Sequence, residues 1–157
     1  NFTPTLNATY ITKYDLMDPQ AGNIDGAGRR NFNNIGVSSP ELRANLGLAW
    51  QNDIHAANIF LRYISSYDDD QNCADGNANV GGCSGGYYEV DSHLTVDAQY
   101  NIDLGGLYDT EQSYVLTLGA INMFDEEPPQ LFTNSGFDSK VHDPRGRQIY
   151  ARLAIEF

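Results

Sequence analysis

The chain has 157 residues, a length that suits one domain, and it carries a formal net charge of −12 at pH 7. Nine basic residues stand against twenty-one acidic ones, which excludes a nucleic-acid-binding surface because phosphate contacts require clustered Lys and Arg. No apolar stretch reaches the roughly 18 residues of a transmembrane helix. This does not exclude a membrane β-barrel, because barrel strands alternate apolar and polar residues.

Alternation of apolar and polar residues with a period of two runs along the whole chain and predicts β-strands. In the clearest case Leu42, Leu46 and Trp50 share one face of a strand, and Arg43 and Asn45 share the other. No helical period competes with this pattern, so we predict an all-β protein, an antiparallel meander of about six strands. The predicted strands, in chain order, occupy residues 6–10, 42–51, 58–64, 90–103, 114–120 and 149–157.

Three features distinguish a transmembrane barrel from a soluble sandwich, which would share the alternation. The apolar faces of the clearest strands carry no charge, as a lipid-facing surface requires. Aromatic residues collect near strand ends, where amphipathic rings belong at a bilayer interface. Long and short connections alternate, as in outer-membrane proteins. The long ones lie at about 15–41, 68–89 and 125–146, and the short ones at Asn52-Asp53 and Gly105-Gly106.

The number of strands indicates that the sheet is incomplete. Six antiparallel strands are too few for a membrane barrel, whose smallest bacterial form has about eight. The sequence also opens on strand-like residues without a signal peptide. We therefore interpret residues 1–157 as the last part of a large transmembrane β-barrel, with its earlier strands upstream.

The two cysteines, Cys73 and Cys83, lie in one stretch rich in Gly, Asn and Ser. We favour a disulfide that closes this short loop, which implies an oxidising compartment. Two free thiols are the alternative. A metal site is the weakest interpretation because no histidine or further cysteine lies nearby in the sequence to complete four ligands.

The last forty residues contain the most specific motifs. Asn122-Met123-Phe124-Asp125 precedes a Pro128-Pro129 pair, Gly146-Arg147 precedes Tyr150 in a Gly-Arg-x-x-Tyr pattern, and Phe157 follows an alternating strand. Together these residues resemble the C-terminal strands of TonB-dependent outer-membrane receptors. Met123 stands where that family usually has leucine. In the family, the terminal aromatic residue is the signal that the barrel assembly machinery reads.

The resemblance implies a transporter in the bacterial outer membrane that imports a scarce nutrient such as a siderophore, cobalamin or an oligosaccharide. It also implies an upstream plug domain and energy input from the TonB complex. With a periplasmic C-terminus, the segments 15–41, 68–89 and 125–146 are extracellular loops and the short connections are periplasmic. The rival hypothesis is a secreted or cell-surface β-sandwich that acts as a binding or adhesion module.

No catalytic constellation is visible, so we expect no enzyme activity and no cofactor. His55, His93 and His142 are scattered over a turn, a strand and a loop. The run Asp68-Asp69-Asp70 offers hard oxygen ligands for Ca²⁺, but it lacks the spacing of a dedicated site, so we predict no metal.

The charge of the three long loops bears on the ligand. They hold fourteen acidic residues and four basic ones, a field that repels anions. This disfavours an anionic ferric chelate and leaves a neutral glycan, a cobalamin-like molecule or a peptide. The residues that contact the ligand are not specified by the sequence.

Overall fold

The structure is a computed structural model that describes residues 1–19, 22–30, 37–70, 87–108 and 112–156. Within these ranges the chain is almost entirely β-structure, which confirms the predicted all-β class. The elements are β1 (Phe2–Tyr10), β2 (Asp15–Asp18), β3 (Gly22–Asp25), β4 (Arg29–Arg30), β5 (Leu42–Asn52), β6 (His55–Ile64), β7 (Tyr67–Asp69), β8 (Tyr88–Val90), β9 (His93–Asp103), α1 (Leu104–Tyr108), β10 (Ser113–Ile121) and β11 (Gln148–Glu156).

Six strands form one large sheet in the order β1-β5-β6-β9-β10-β11. Every neighbouring pair is antiparallel. These correspond to the six strands that the alternation predicts, and each pairs with the next long strand in the chain. The predicted start of the fourth strand at residue 90 is wrong, because β9 begins at His93 and Val90 belongs to β8 in the small three-stranded sheet. The sheet does not close, so β1 and β11 form its two edges.

The register places most of the apolar residues of the six strands on one side of the sheet. Leu48 lies opposite Ile59, Ile59 opposite Ala98, and Ala98 opposite Ala120. Residues that lie directly opposite share a face. We call this side the apolar face: the even-numbered residues of β1, β5, β9 and β10 and the odd-numbered residues of β6 and β11. It contains no Asp, Glu, Lys or Arg. The other side is the polar face.

The apolar face is exposed. Two of its residues, Leu118 and Ile149, are 49 % and 80 % exposed. Within the described ranges, the cluster of buried apolar side chains lies elsewhere, where Tyr67, Val90 and Leu131 meet beyond the end of the large sheet. Many apolar side chains of this sheet are therefore left uncovered by the described part of the chain, in contrast to the buried core of an ordinary soluble domain.

The connections at one end of the sheet are short. Asn52 pairs with His55 across a two-residue turn in which Asp53 has a left-handed φ of 43°, a conformation that Asp tolerates. The connection after β9 is the helix α1, so the prediction of β-structure throughout is wrong here. The Asp103 carboxylate accepts a hydrogen bond from the Gly106 amide at 3.2 Å and caps this short helix. No helix in the described part of the chain is long and apolar enough to cross a membrane.

The opposite end carries the long segments, and these contain strands that the alternation does not predict. β2 and β3 form an antiparallel hairpin. β4, β7 and β8 form a three-stranded sheet in which β4 and β7 are parallel. Asp69 of this sheet is fully buried and pairs with Arg30 at 2.9 Å. Two predicted loops are therefore joined to each other by strand pairing and by ion pairs.

Candidate functional site

The motif residues at the end of β10 close a tight turn. Asn122 and Asp125 have left-handed φ angles of 50° and 62°, which Asn and Asp tolerate better than other non-glycine residues. The Asn122 side-chain amide donates to the Glu126 carbonyl oxygen, and its oxygen accepts from the Glu126 amide, both at 2.9 Å. The strand therefore ends here, because the Asn122 side chain forms hydrogen bonds with backbone groups of Glu126 in place of a neighbouring strand.

Asp125 joins the two ends of the third long loop. Its Oδ1 accepts a hydrogen bond of 2.7 Å from the Arg147 backbone amide, just before β11 begins. A Cβ atom on Gly146 would lie 2.6 Å from the same oxygen. Glycine is therefore required at position 146 for the close approach. The structure brings Asn122, Asp125, Gly146 and Arg147 together, whereas Phe124 is 69 % exposed.

Tyr150 lies on the polar face and packs over a glycine. A Cβ on Gly119 would overlap the Tyr150 ring, and the Tyr150 hydroxyl donates to Gln99 Oε1 at 3.0 Å. Phe60 covers Gly47 in the same way, which explains why a phenylalanine interrupts the alternation of β6. These two rings fill the space left by glycines in the neighbouring strand. The remaining predicted site residues, Cys73, Cys83 and Phe157, lie outside the described residues.

A cleft of about 330 Å³ opens on the polar face beneath the end of the third loop. It contains two ion pairs: Arg62 with Asp97 at 2.7 Å, and Arg145 with Asp143 at 2.6 Å. The full lining comprises Arg62, Ile64, His93, Thr95, Asp97, Ile121, Asn122, Val141, His142, Asp143, Arg145 and Gln148. Since each arginine of the lining is paired with an aspartate, the cleft presents donors and acceptors without an excess of positive charge.

Two histidines form one wall of the cleft. His93 and His142 are 7 % and 4 % exposed, and their Nδ1 atoms lie 3.2 Å apart. Among the described residues, neither Nε2 atom has a hydrogen-bond partner. Burial and, to a lesser extent, the neighbouring His93 ring lower the pKa of His142 to about 4. His142 is therefore neutral at pH 7.

Asp138 joins all three long loops beside this pair. Its Oδ2 accepts hydrogen bonds from the Ser38 hydroxyl and, at 3.3 Å, from the Tyr67 hydroxyl. The Tyr67 ring stacks on His142 with a centroid distance of 6.3 Å. Burial raises the pKa of Tyr67, and the Asp138 carboxylate adds to that effect. The hydroxyl therefore remains a hydrogen-bond donor. Asp138 joins described parts of the long loops, which we call the loop cap: residues 28–30, 38–40, 67–70, 87–90 and 131–142.

The structure separates the three histidines that the sequence leaves unassigned. His55 lies on the apolar face, where its Nδ1 is 2.6 Å from the Tyr100 hydroxyl. His93 and His142 meet although 49 residues separate them, and no local sequence pattern signals this contact.

Two of the three consecutive aspartates form ion pairs. Asp69 pairs with Arg30, and Asp70 pairs with Arg29 at 3.2 Å. Within the described ranges, no group of three or more His, Cys, Asp or Glu side chains is placed to hold a metal ion. Asp69 and Asp70 therefore have arginine partners, and the absence of a metal stays a prediction.

Comparisons with known proteins gave no match: no family model, no curated protein and no solved structure is similar to this chain. The geometry of the sheet and of its loops is therefore the basis for a functional proposal.

The Asp125 clamp gives a direct prediction. Asp125→Ala removes the acceptor for the Arg147 amide and places alanine at a left-handed φ, so the loop ends should separate more often. We expect amide hydrogen exchange around residues 146–148 to accelerate on the order of tenfold, the loss of about one charge-assisted hydrogen bond. Glu127→Ala, which removes a nearby exposed carboxylate, is the control. Equal exchange in the two variants would contradict the clamp.

Proposed function

We propose that this chain forms the C-terminal strands and extracellular loops of a TonB-dependent transporter in the bacterial outer membrane. The observation that carries the proposal is the apolar face, which is free of charged side chains across six strands and is exposed. The six strands have 9 to 11 residues each. Transmembrane β-strands that cross a bilayer at a tilt need about 9 to 11 residues, so length and polarity agree.

Aromatic residues on the apolar face support the same function. Phe2, Trp50 and Tyr100 fall on one row of the register, near the short connections. Tyr10 and Tyr63 lie toward the opposite end of the same face. Amphipathic rings at both ends of an apolar band are typical of membrane proteins, because the two interfaces favour them.

The two open edges imply further strands. Within the described residues, β1 and β11 each pair on one side. Unpaired backbone groups in lipid cost several kcal/mol each, so the proposal includes partner strands that close the barrel. The family resemblance supplies the other partners of the proposal: a plug domain, the TonB complex, the barrel assembly machinery and the surrounding lipid.

In this arrangement the polar face lines the lumen, and the cleft lies at its extracellular end. The imported substrate is a small molecule or a glycan. The paired charges of the cleft, Arg62 with Asp97 and Arg145 with Asp143, and the acidic loops favour a ligand without strong negative charge. The rival sandwich requires a second layer over the apolar face. None of the elements that the structure describes covers that face.

Cysteine labelling of whole cells tests the proposal. Ser135→Cys, in the third loop, should react with a membrane-impermeant thiol reagent on intact cells. Tyr108→Cys, which replaces a 73 % exposed residue of α1 at the opposite end, should react only after the outer membrane is permeabilised. The unsubstituted full-length protein supplies the background from the native cysteines. Labelling of both positions on intact cells, or release of the protein into the medium, would contradict the proposed topology.

A further inference from the structure

We propose that His93 and His142 form a proton-sensitive latch that holds residues 138–145 over the polar face and keeps this wall of the cleft in place while both rings are neutral. The latch is distinct from transport itself. It follows from the contact between β9 and the third loop and does not depend on the identity of the substrate.

The contact between the rings constrains their tautomers. The Nδ1 atoms are 3.2 Å apart, and the ring planes meet at 81° with centroids 5.0 Å apart. A hydrogen bond between two Nδ1 atoms needs one N–H and one lone pair, so the neutral rings adopt complementary tautomers. A first proton places a charge in a buried site. A second proton removes the remaining lone pair, and the two Nδ1–H groups then oppose each other.

Charged groups from the loop itself and from β5 act on His142. Asp138, from the same loop, favours its protonation, while Arg43 from β5 and the His93 ring oppose it. The Tyr67 ring covers the other side of His142 and stays protonated, so it adds no charge. The balance leaves the buried imidazole neutral because burial is the largest influence.

Three sets of charged groups lie near His93. Glu126, which follows β10, places a carboxylate near the ring. The Arg62–Asp97 pair shares the cleft with it. Asp143 pairs with Arg145, and the hydrogen bond from that arginine lowers the pKa of Asp143 to about 2. Asp143 therefore stays ionised over the pH range in which a histidine titrates.

The sign of the pH dependence follows from the lowered pKa of His142. The pKa of His142 is about 4 in the closed loop and 6.5 for an unperturbed histidine, so the closed state binds fewer protons. Closure is at full strength above pH 6.5 and weakens as the pH falls toward 4. Between pH 7 and pH 5 the closed-to-open ratio should fall on the order of twentyfold.

Hydrogen exchange of the full-length protein in lipid vesicles tests the latch. Protection of peptides that cover residues 138–147, corrected for the intrinsic pH dependence of exchange, should fall between pH 7 and pH 5 in the unsubstituted protein. In the double variant His93→Gln/His142→Gln, protection should be the same at both pH values, whether the loop is closed or already open. His55→Gln, a histidine on the apolar face, is the control and should keep the pH dependence.

Two results would overturn the latch. One is constant protection of the unsubstituted protein between pH 7 and pH 5. The other is a double variant whose protection still falls in acid as much as that of the unsubstituted protein, which would assign the effect to groups other than the two histidines. Failure of the latch leaves the labelling pattern at Ser135 and Tyr108 unchanged, so it is distinguishable from failure of the proposed function.

Discussion

If the proposed membrane barrel is correct, arginine in place of Ile59 is expected to destabilise the folded protein by about 2 to 4 kcal/mol, whereas arginine at the adjacent Asn58 should have little effect. Ile59 lies near the middle of β6 on the apolar face, between Leu48 and Ala98. If that face meets lipid, the guanidinium has no water within reach at this depth. Asn58 lies on the polar face opposite Gln99, where water is available.

The comparison is informative because Ile59 is 42 % exposed in the structure. In a soluble protein, a charged substitution at so exposed a position usually changes stability by less than about 0.5 kcal/mol. Denaturant unfolding of the full-length protein from lipid vesicles measures the stability of both variants against that of the unsubstituted protein. Similar, small changes for Ile59→Arg and Asn58→Arg would show that the apolar face does not meet lipid.

The large sheet could be predicted from the sequence because its information is local. Alternation in Leu42, Leu46 and Trp50 assigns each residue to a face, and consecutive strands pair with their neighbours along the chain. Phe60 and Ile64 are apolar residues at positions where the alternation calls for polar ones, but they do not change which face each residue of β6 lies on. Both lie on the polar face, where Phe60 covers Gly47 and Ile64 lines the cleft.

The loop cap could not be predicted, because its contacts join distant residues through very short strands. β4 has two residues and β7 has three, too few to show a period. Arg30 and Asp69 are 39 residues apart, and Ser38 and Asp138 are 100 apart. A run of aspartates in the sequence does not reveal that arginines from another loop will neutralise it.

The contact of Asp125 with residues 146 and 147 could be predicted only in part. The sequence singled out both residues as parts of separate motifs at the ends of one loop. It did not show that they touch. In the structure, the Arg147 amide donates to Asp125, and the missing side chain of Gly146 makes room for that carboxylate. One interaction therefore accounts for both motifs.

The second large effect is expected in the loop cap, at the buried ion pair. Arg30→Met removes the guanidinium that lies 2.9 Å from the Asp69 carboxylate, whose side chain is 0 % exposed. Breaking a buried pair by removing one partner costs about 3 kcal/mol or more, because the remaining charge stays desolvated. The loss should appear as local opening of the β4-β7-β8 sheet, measured by hydrogen exchange in residues 67–70 and 88–90, with the large sheet unaffected.

Two further variants separate charge burial from simple loss of a contact. Arg30→Met/Asp69→Asn removes both charges and keeps the shape of residue 69, so most of the protection should return. Arg145→Met breaks the pair with Asp143, whose two side chains are 71 % and 55 % exposed, and should change protection little because water screens both charges. If Arg30→Met is as mild as Arg145→Met, the buried pair does not hold the cap together. In that case the stability of the cap must come from the apolar contacts of Tyr67, Val90 and Leu131.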